Sequence, residues 1–473
     1  MIMRLLLALT AFSMIASPVA AQVDPAARGL AVQARTAAVQ AQTLAIQAQT
    51  LATQAQTLAI GRDVRVFTAI GDSRIDAVYI DANQNALNMR SALVWARELS
   101  GSRFMIGSTQ GKSGDRTDQM LPRMAAVLAT RAGVLYIQAG VNDLAQNYPT
   151  ATTSGATAAA NIITMAEMAR LAGMTVIIEA EVGANGLTAA QVSQMNDLNV
   201  RLSDYVEGTP GVYLNDARSA VMQPTASTTT VAFRAGYSGD GTHELSRGAY
   251  AHGGTLLPLI NQIVPPRSVL VRSATELPGN GRWQLLANPI FATATGGTLS
   301  GTATGTAPSG WTVFGSANTT STFGTQADPD GLGNNVTMSC QWAGAGDNCR
   351  VFQTAGSGNW MPGDIVQAVA QLQVTSASSC LAATRLELVT LGTLNGSPAG
   401  FNYMDGYHAT TAGSFGSDQA YTVTLMTRPF TVPAYSAKSY MAAYIHVEGS
   451  CAGTVNVVVK QISIKRRLSA PAG

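Results

Sequence analysis

RDVRVFTAIGDSRID, residues 62–76, is the stretch on which the fold turns. Its apolar run, VRVFTAI, has the length of a strand, and the chain then turns at Gly71 and Asp72. Ser73 falls just past the strand's carboxyl end, where open α/β sheets place their ligand sites. Four similar runs follow, RFMIG (103–107), VLYIQAG (134–140), MTVIIEA (174–180) and GVYLND (211–216), separated by amphipathic stretches. MTVIIEA is apolar on both faces, as a strand inside a parallel sheet must be. Residues 62–265 therefore predict a three-layer α/β/α domain around a parallel sheet.

After Pro265 and Pro266 the composition shifts to Gly, Thr, Ser and Ala, and helical periodicity disappears. DIVQAVAQLQV (364–374), YTVTLMTRPFTV (421–432) and TVNVVVKQISI (454–464) read as strands between Gly-rich turns. Residues 283–467 thus predict an all-β sandwich, with 266–282 as a linker and 468–473 as a tail.

A chain of 473 residues has room for more than one domain, and 46% hydrophobic against 12% charged residues suits a large core. The formal net charge of +2, from 29 basic and 27 acidic residues, creates no field that would gather nucleic acid or a membrane surface. Residues 1–21 read as a signal peptide: Arg4, an apolar stretch from Leu5 to Ala16, and a small-residue site at Val19-Ala20-Ala21. That stretch is shorter than the ~20 residues needed to span a bilayer, and no later segment is a continuous apolar span. The expectation is export to the periplasm, the cell surface or the exterior. Export permits disulfides, and Cys340, Cys349, Cys380 and Cys451 leave three pairings open.

Between the signal and the first strand, residues 22–61 carry a seven-residue repeat: QAQTLAI, QAQTLAT, QAQTLAI. Ala41, Leu44, Ala48, Leu51, Ala55 and Leu58 alternate three and four apart, the spacing of one helical stripe. The segment predicts either a coiled coil that holds a homo-oligomer through residues 30–60 or a plain helical spacer. Arg35 is the only charge from Gly29 to Ile60, so no ion pairs specify a partner.

Four short motifs carry the chemistry: IGDSRID at Ser73, QGKSGD at Gly114, AGVND at Asn142, and GDGTHEL at Asp240 and His243. A serine hydroxyl is a weak nucleophile unless a base lies within hydrogen-bond reach, and His243 can be that base. Asp240, three residues earlier, is close enough in a tight turn to hold one imidazole nitrogen while the other faces Ser73. The amides of Ser73 and Gly114 and the side chain of Asn142 can donate to a developing oxyanion. Each motif alone also reads as an ordinary turn or helix cap. Their joint order resembles that of the SGNH (GDSL-like) hydrolase family over residues 64–265. The resemblance implies Ser73 as nucleophile, Asp240 and His243 as its acid and base partners, and Ser73, Gly114 and Asn142 as the oxyanion hole.

Many members of that family follow GDS with a small apolar residue, whereas Arg74 follows here, reading either as a surface arginine or as a contact for an anionic or sugar substrate. His252, His408 and His446 read as packing or surface residues. The sequence shows no metal-ligand cluster, phosphate loop or cofactor fingerprint. The stretch 285–315 resembles the opening of jelly-roll modules, among them carbohydrate-binding and phage-tail ones. Trp311, Trp342 and Trp360 would there be either sugar platforms or core. The sequence thus points to an exported serine esterase that removes acyl groups, acetyl foremost, from a carbohydrate. A broad lipase or arylesterase, and a non-catalytic adhesin or tail-fibre-like protein, are the competing readings.

Overall fold

The structure is a computed structural model that describes residues 61–80, 85–225, 227, 229–266, 269–273, 276, 284–376, 378–407 and 420–467. The expected signal peptide, the heptad segment up to residue 60, most of the linker, the tail, Trp283 and His408 lie outside the described residues.

In chain order the first part runs β1 (Asp63–Gly71), α1 (Ser73–Asp76), β2 (Ala86–Asn88), α2 (Ala92–Leu99), β3 (Met105–Gly111), α3 (Thr117–Met120) and α4 (Met124–Leu128). It continues with β4 (Ala132–Gln138), α5 (Val141–Ala145), α6 (Ser154–Leu171), β5 (Thr175–Glu179), α7 (Ala189–Glu207), β6 (Val212–Asn215), α8 (Arg218–Val221) and α9 (Ser246–Ile263). Five strands form one sheet in the order β3-β1-β4-β5-β6, every pair parallel. Strand β4 is buried along its whole length, which requires cover on both faces and explains its unbroken apolar sequence. Helix α6 packs on β4 and β5 beside α7, and α9 packs on α2 and β6. The expected α/β architecture and its five strands are present.

Register brings Gly71, Gly111 and Gln138 side by side at the carboxyl edge of the sheet. A Cβ on Gly71 would lie 2.2 Å from the Gln138 carbonyl oxygen, so only glycine lets the two strand ends approach this closely. The turn that carries Ser73 begins at that point.

The second part comprises β7 (Thr298–Gly301), β8 (Ala303–Gly305), β9 (Thr312–Gly315), β10 (Thr319–Ala327), β11 (Asn334–Trp342), β12 (Asn348–Ala355) and β13 (Ile365–Ser376). It ends with β14 (Leu381–Leu394), β15 (Ser397–Tyr407), β16 (Tyr421–Met426), β17 (Phe430–Thr431), β18 (Ala437–Gly449) and β19 (Gly453–Arg467). One sheet runs β16-β13-β19-β11-β10-β8, with β17 also on β13; the other runs β2-β15-β14-β18-β12-β9-β7. The expected β-sandwich is therefore present, and its second sheet takes its edge strand, β2, from the first part of the chain. Cys340 pairs with Cys349, joining β11 of one sheet to β12 of the other, and Cys380 pairs with Cys451.

Trp311, Trp342 and Trp360 are at most 2% exposed, so they are core residues and offer no platform to a sugar. His446 is buried too, its Nε2 2.8 Å from Glu387. One hydrophobic cluster extends from Phe67, Trp95 and Phe104 to Trp311, Val351 and Ile445, crossing between the two parts. At the crossing, Trp95 meets Tyr421 edge to face at 5.0 Å, Arg97 pairs with Asp405 at 2.7 Å, and Ser102 Oγ donates to the Thr424 carbonyl at 2.6 Å.

Candidate active site

Beyond Gly71 the chain makes one short helix. Asp72 caps it, accepting the Arg74 backbone N–H at 3.0 Å, and this sets Ser73 at the first helical position over the sheet edge. Arg74 is not a surface residue: its guanidinium is turned onto two carboxylates beside the site. It is 9% exposed, with Nη2 2.9 Å from Asp72 Oδ2 and the guanidinium forked onto both oxygens of Glu181 at 3.1 and 2.8 Å. Burial alone would lower its pKa, but Asp72 and Glu181 outweigh burial and raise it well above the ordinary value, so it stays charged.

The turn Asp240–His243 sits where β1 ends. Asp240 Oδ1 accepts the backbone N–H groups of Thr242 and His243, both at 2.8 Å, so the carboxylate shapes the turn. Its other oxygen lies 2.6 Å from His243 Nδ1, and His243 Nε2 lies 2.7 Å from Ser73 Oγ. Partial burial works to raise the Asp240 pKa. The backbone and side chain of His243 and the Thr242 amide overcome it and hold the carboxyl well below the usual range. The three-residue spacing thus permits one carboxylate to brace both the turn and the imidazole.

Gly114 lies in the β3–α3 loop with φ +80°, a conformation that favours glycine, and a Cβ there would meet open space. Asn142 is in the first turn of α5, directly after β4, and its Nδ2 donates to the Asp115 carbonyl at 3.0 Å. One of the two Nδ2 hydrogens remains for another acceptor. Among the described residues, no protein acceptor takes the backbone N–H of Ser73 or of Gly114. The two loops are fastened together: Asp143 accepts the Thr117 N–H at 3.0 Å and its hydroxyl at 2.7 Å, and Gln146 donates to the Gly114 carbonyl at 3.1 Å. Burial pushes the Asp143 carboxyl up to about 6, against the pull of those Thr117 bonds.

Ser73 and His243 open on a cavity of about 380 Å³ whose wall also includes Arg90, Ser113, Gln138 and Glu244. Two groups there escaped the sequence reading. Arg90 Nε donates to the Glu244 carbonyl at 3.1 Å. The Glu244 side chain reaches His252 Nδ1 at 2.8 Å, and His252 Nε2 reaches Glu179 at 3.0 Å. Glu179 also accepts the Tyr136 hydroxyl at 2.8 Å. Burial works to lower the His252 pKa, but Glu244 and Glu179 outweigh it and raise it to about 10. A signal for this cluster exists in the sequence: Glu179 ends an apolar strand, and a carboxylate buried there needs a partner.

A parallel α/β sheet that delivers a serine and a histidine, within hydrogen-bond reach of each other, to its carboxyl edge defines a serine hydrolase. Residues 69–248 match the GDSL-like Lipase/Acylhydrolase family, and this part of the chain is an ester hydrolase domain of that family. None of the curated proteins matches the chain in sequence. Among solved structures, a GDSL-like lipase from Bacteroides thetaiotaomicron is similar at 19% identity and a TM-score of 0.30, covering 46% of this chain and 95% of that one. A carbohydrate esterase of family 3 from Talaromyces cellulolyticus is similar at 18% identity and a TM-score of 0.31, covering 43% and 99%. A structure described for carbohydrate-binding modules of the β-sandwich superfamily is similar at 16% identity and a TM-score of 0.24, covering 33% and 56%.

Proposed function

We propose that this protein is an exported esterase that removes small acyl groups, acetyl foremost, from a carbohydrate, with Ser73 as nucleophile, His243 as general base and then acid, and Asp240 as its orienting carboxylate. The observation that carries the reading is the unbroken hydrogen-bond chain from Asp240 through His243 to Ser73, with contacts of 2.6 and 2.7 Å. Ser73 attacks the ester carbonyl as its proton passes to His243 Nε2, and Asp240 keeps the other proton on Nδ1 and stabilises the imidazolium. The negative oxygen is received by the Ser73 and Gly114 amides and the spare Asn142 Nδ2 hydrogen. His243 returns the proton to the leaving alcohol, and water then repeats the sequence on the acyl-enzyme. The polar wall of Arg90, Ser113, Gln138 and Glu244 suits a short acyl group on a hydroxyl-rich alcohol better than a long lipid chain.

The test is hydrolysis of short and long acyl esters and of acetylated glycans by the wild type and by Ser73→Ala. Short esters should turn over fastest, and Ser73→Ala should lose activity by a factor on the order of 10⁴ or more while keeping its melting temperature. Near-normal turnover by the folded variant would remove Ser73 from the mechanism.

A further inference from the structure

Arg90 is not part of the Ser73, His243 and Asp240 chain, yet it borders the same cavity. It sits in the turn between β2 and α2, where its backbone is clamped. Its N–H donates to Asn88 Oδ1 at 3.1 Å, and the preceding Met89 carbonyl accepts from Trp95 Nε1 at 2.7 Å and from Ser246 Oγ at 2.9 Å. The side chain then crosses to the catalytic turn, where Nε is held by the Glu244 carbonyl. That bond anchors the guanidinium at Nε and leaves both terminal nitrogens without a protein acceptor among the described residues.

The other charges around this cavity are engaged. Arg74 is paired with Asp72 and Glu181, Glu244 with His252, and Asp240 with His243. Asp76 accepts the Ser113 hydroxyl at 2.7 Å and lies in the field of Arg123. Arg90 is therefore the cavity's unpaired cation among the described residues, anchored at Nε with both terminal nitrogens open. A planar guanidinium with its terminal nitrogens open matches a carboxylate through two parallel, charge-assisted N–H···O bonds, whereas neutral hydroxyls can accept from it but lack the opposite charge.

We propose that Arg90 is a specificity residue that binds a substrate carboxylate, so that the preferred substrate is an acyl ester on an anionic, uronate-bearing glycan. This rests on the reading of the cavity as an esterase site. The experiment compares kcat/KM on O-acetylated polygalacturonate and on neutral O-acetylated xylan for the wild type, Arg90→Gln and Arg90→Lys. The wild type should favour the anionic polymer by about 10- to 100-fold, the range of a charged hydrogen-bonded contact. Arg90→Gln should bring that ratio close to one, and Arg90→Lys should recover part of it. The ratio is the readout because a merely disturbed loop slows both polymers alike.

A second arm needs no turnover: calorimetric binding of a galacturonate oligomer to Ser73→Ala, with and without Arg90→Gln. Binding should be present in the first and at least tenfold weaker in the second. A wild-type ratio near one, a ratio unchanged in Arg90→Gln, or equal oligomer binding by both proteins overturns the assignment. If the wild type hydrolyses no ester, the esterase reading falls, while the calorimetric comparison still decides the role of Arg90.

Discussion

Arg74 and Glu181, 107 residues apart in sequence, meet in a two-pronged ion pair directly behind the turn that carries Ser73. Both are buried, and Asp72 shares the same guanidinium. Arg74→Ala would strand two buried carboxylates and should cost ~3–5 kcal/mol of stability, the cost of breaking a buried pair from one side. Because Asp72 also caps the helix that carries Ser73, kcat should fall with stability. Urea titration together with steady-state kinetics checks both, and an unchanged urea midpoint would count against this role.

The proposed oxyanion site should show a different signature. Asn142→Ala removes one donor and should lower kcat by ~10²–10³-fold with little change in KM. In the proposed oxyanion site Gly114 contributes only its backbone N–H, and at φ +80° Gly114→Ala should act by strain in the loop instead. A fall confined to KM in Asn142→Ala would place that side chain in ground-state binding.

His252 makes a prediction about pH. Its folded pKa, about 10, lies above the ordinary value of 6.5, so its stabilising contribution is complete below about pH 6.5 and is lost as pH rises toward 10. His252→Gln should therefore be less stable than the wild type by ~3–5 kcal/mol near pH 6, and the gap should narrow by pH 10. Denaturant unfolding at several pH values reads the gap, and a constant difference would contradict a charged imidazole between Glu179 and Glu244.

The contact between the two parts of the chain predicts that they do not separate cleanly. A chain ending at Pro266 would expose Trp95 and leave Arg97 without Asp405. Beside them Glu98 is fully buried, and burial together with Asp405 pushes its carboxyl well above the usual range. The truncated protein should lose its cooperative thermal transition, whereas Asp405→Asn in the full chain should only lower it. A sharp melt from the truncated chain would show the contact to be dispensable.

The parallel strands were legible because burial on both faces leaves continuous apolar runs, as in MTVIIEA. Ser73, Asp240 and His243 were legible because local spacing sets part of their geometry and the strand end sets the rest. Arg74 was not, since a charged residue is read by its neighbours in sequence while its partner, Glu181, lies far along the chain. Strand β2, Ala86–Asn88, has three residues, too few for any period to show, and its sheet partner, β15, lies more than three hundred residues on. The tryptophans followed the ordinary preference of large rings for a sandwich core, which composition alone does not separate from a sugar platform.

The crossing of β2 into the sandwich bears on the order in which this protein can be completed. Arg97 needs a carboxylate 308 residues downstream, and the strand beside it needs an edge supplied by that same late region. At synthesis rates of ~5–20 residues per second, the interval is on the order of tens of seconds. For that time the amino-terminal part emerges with an unpaired arginine and an open strand edge, so its last steps of assembly wait for the far end of the chain.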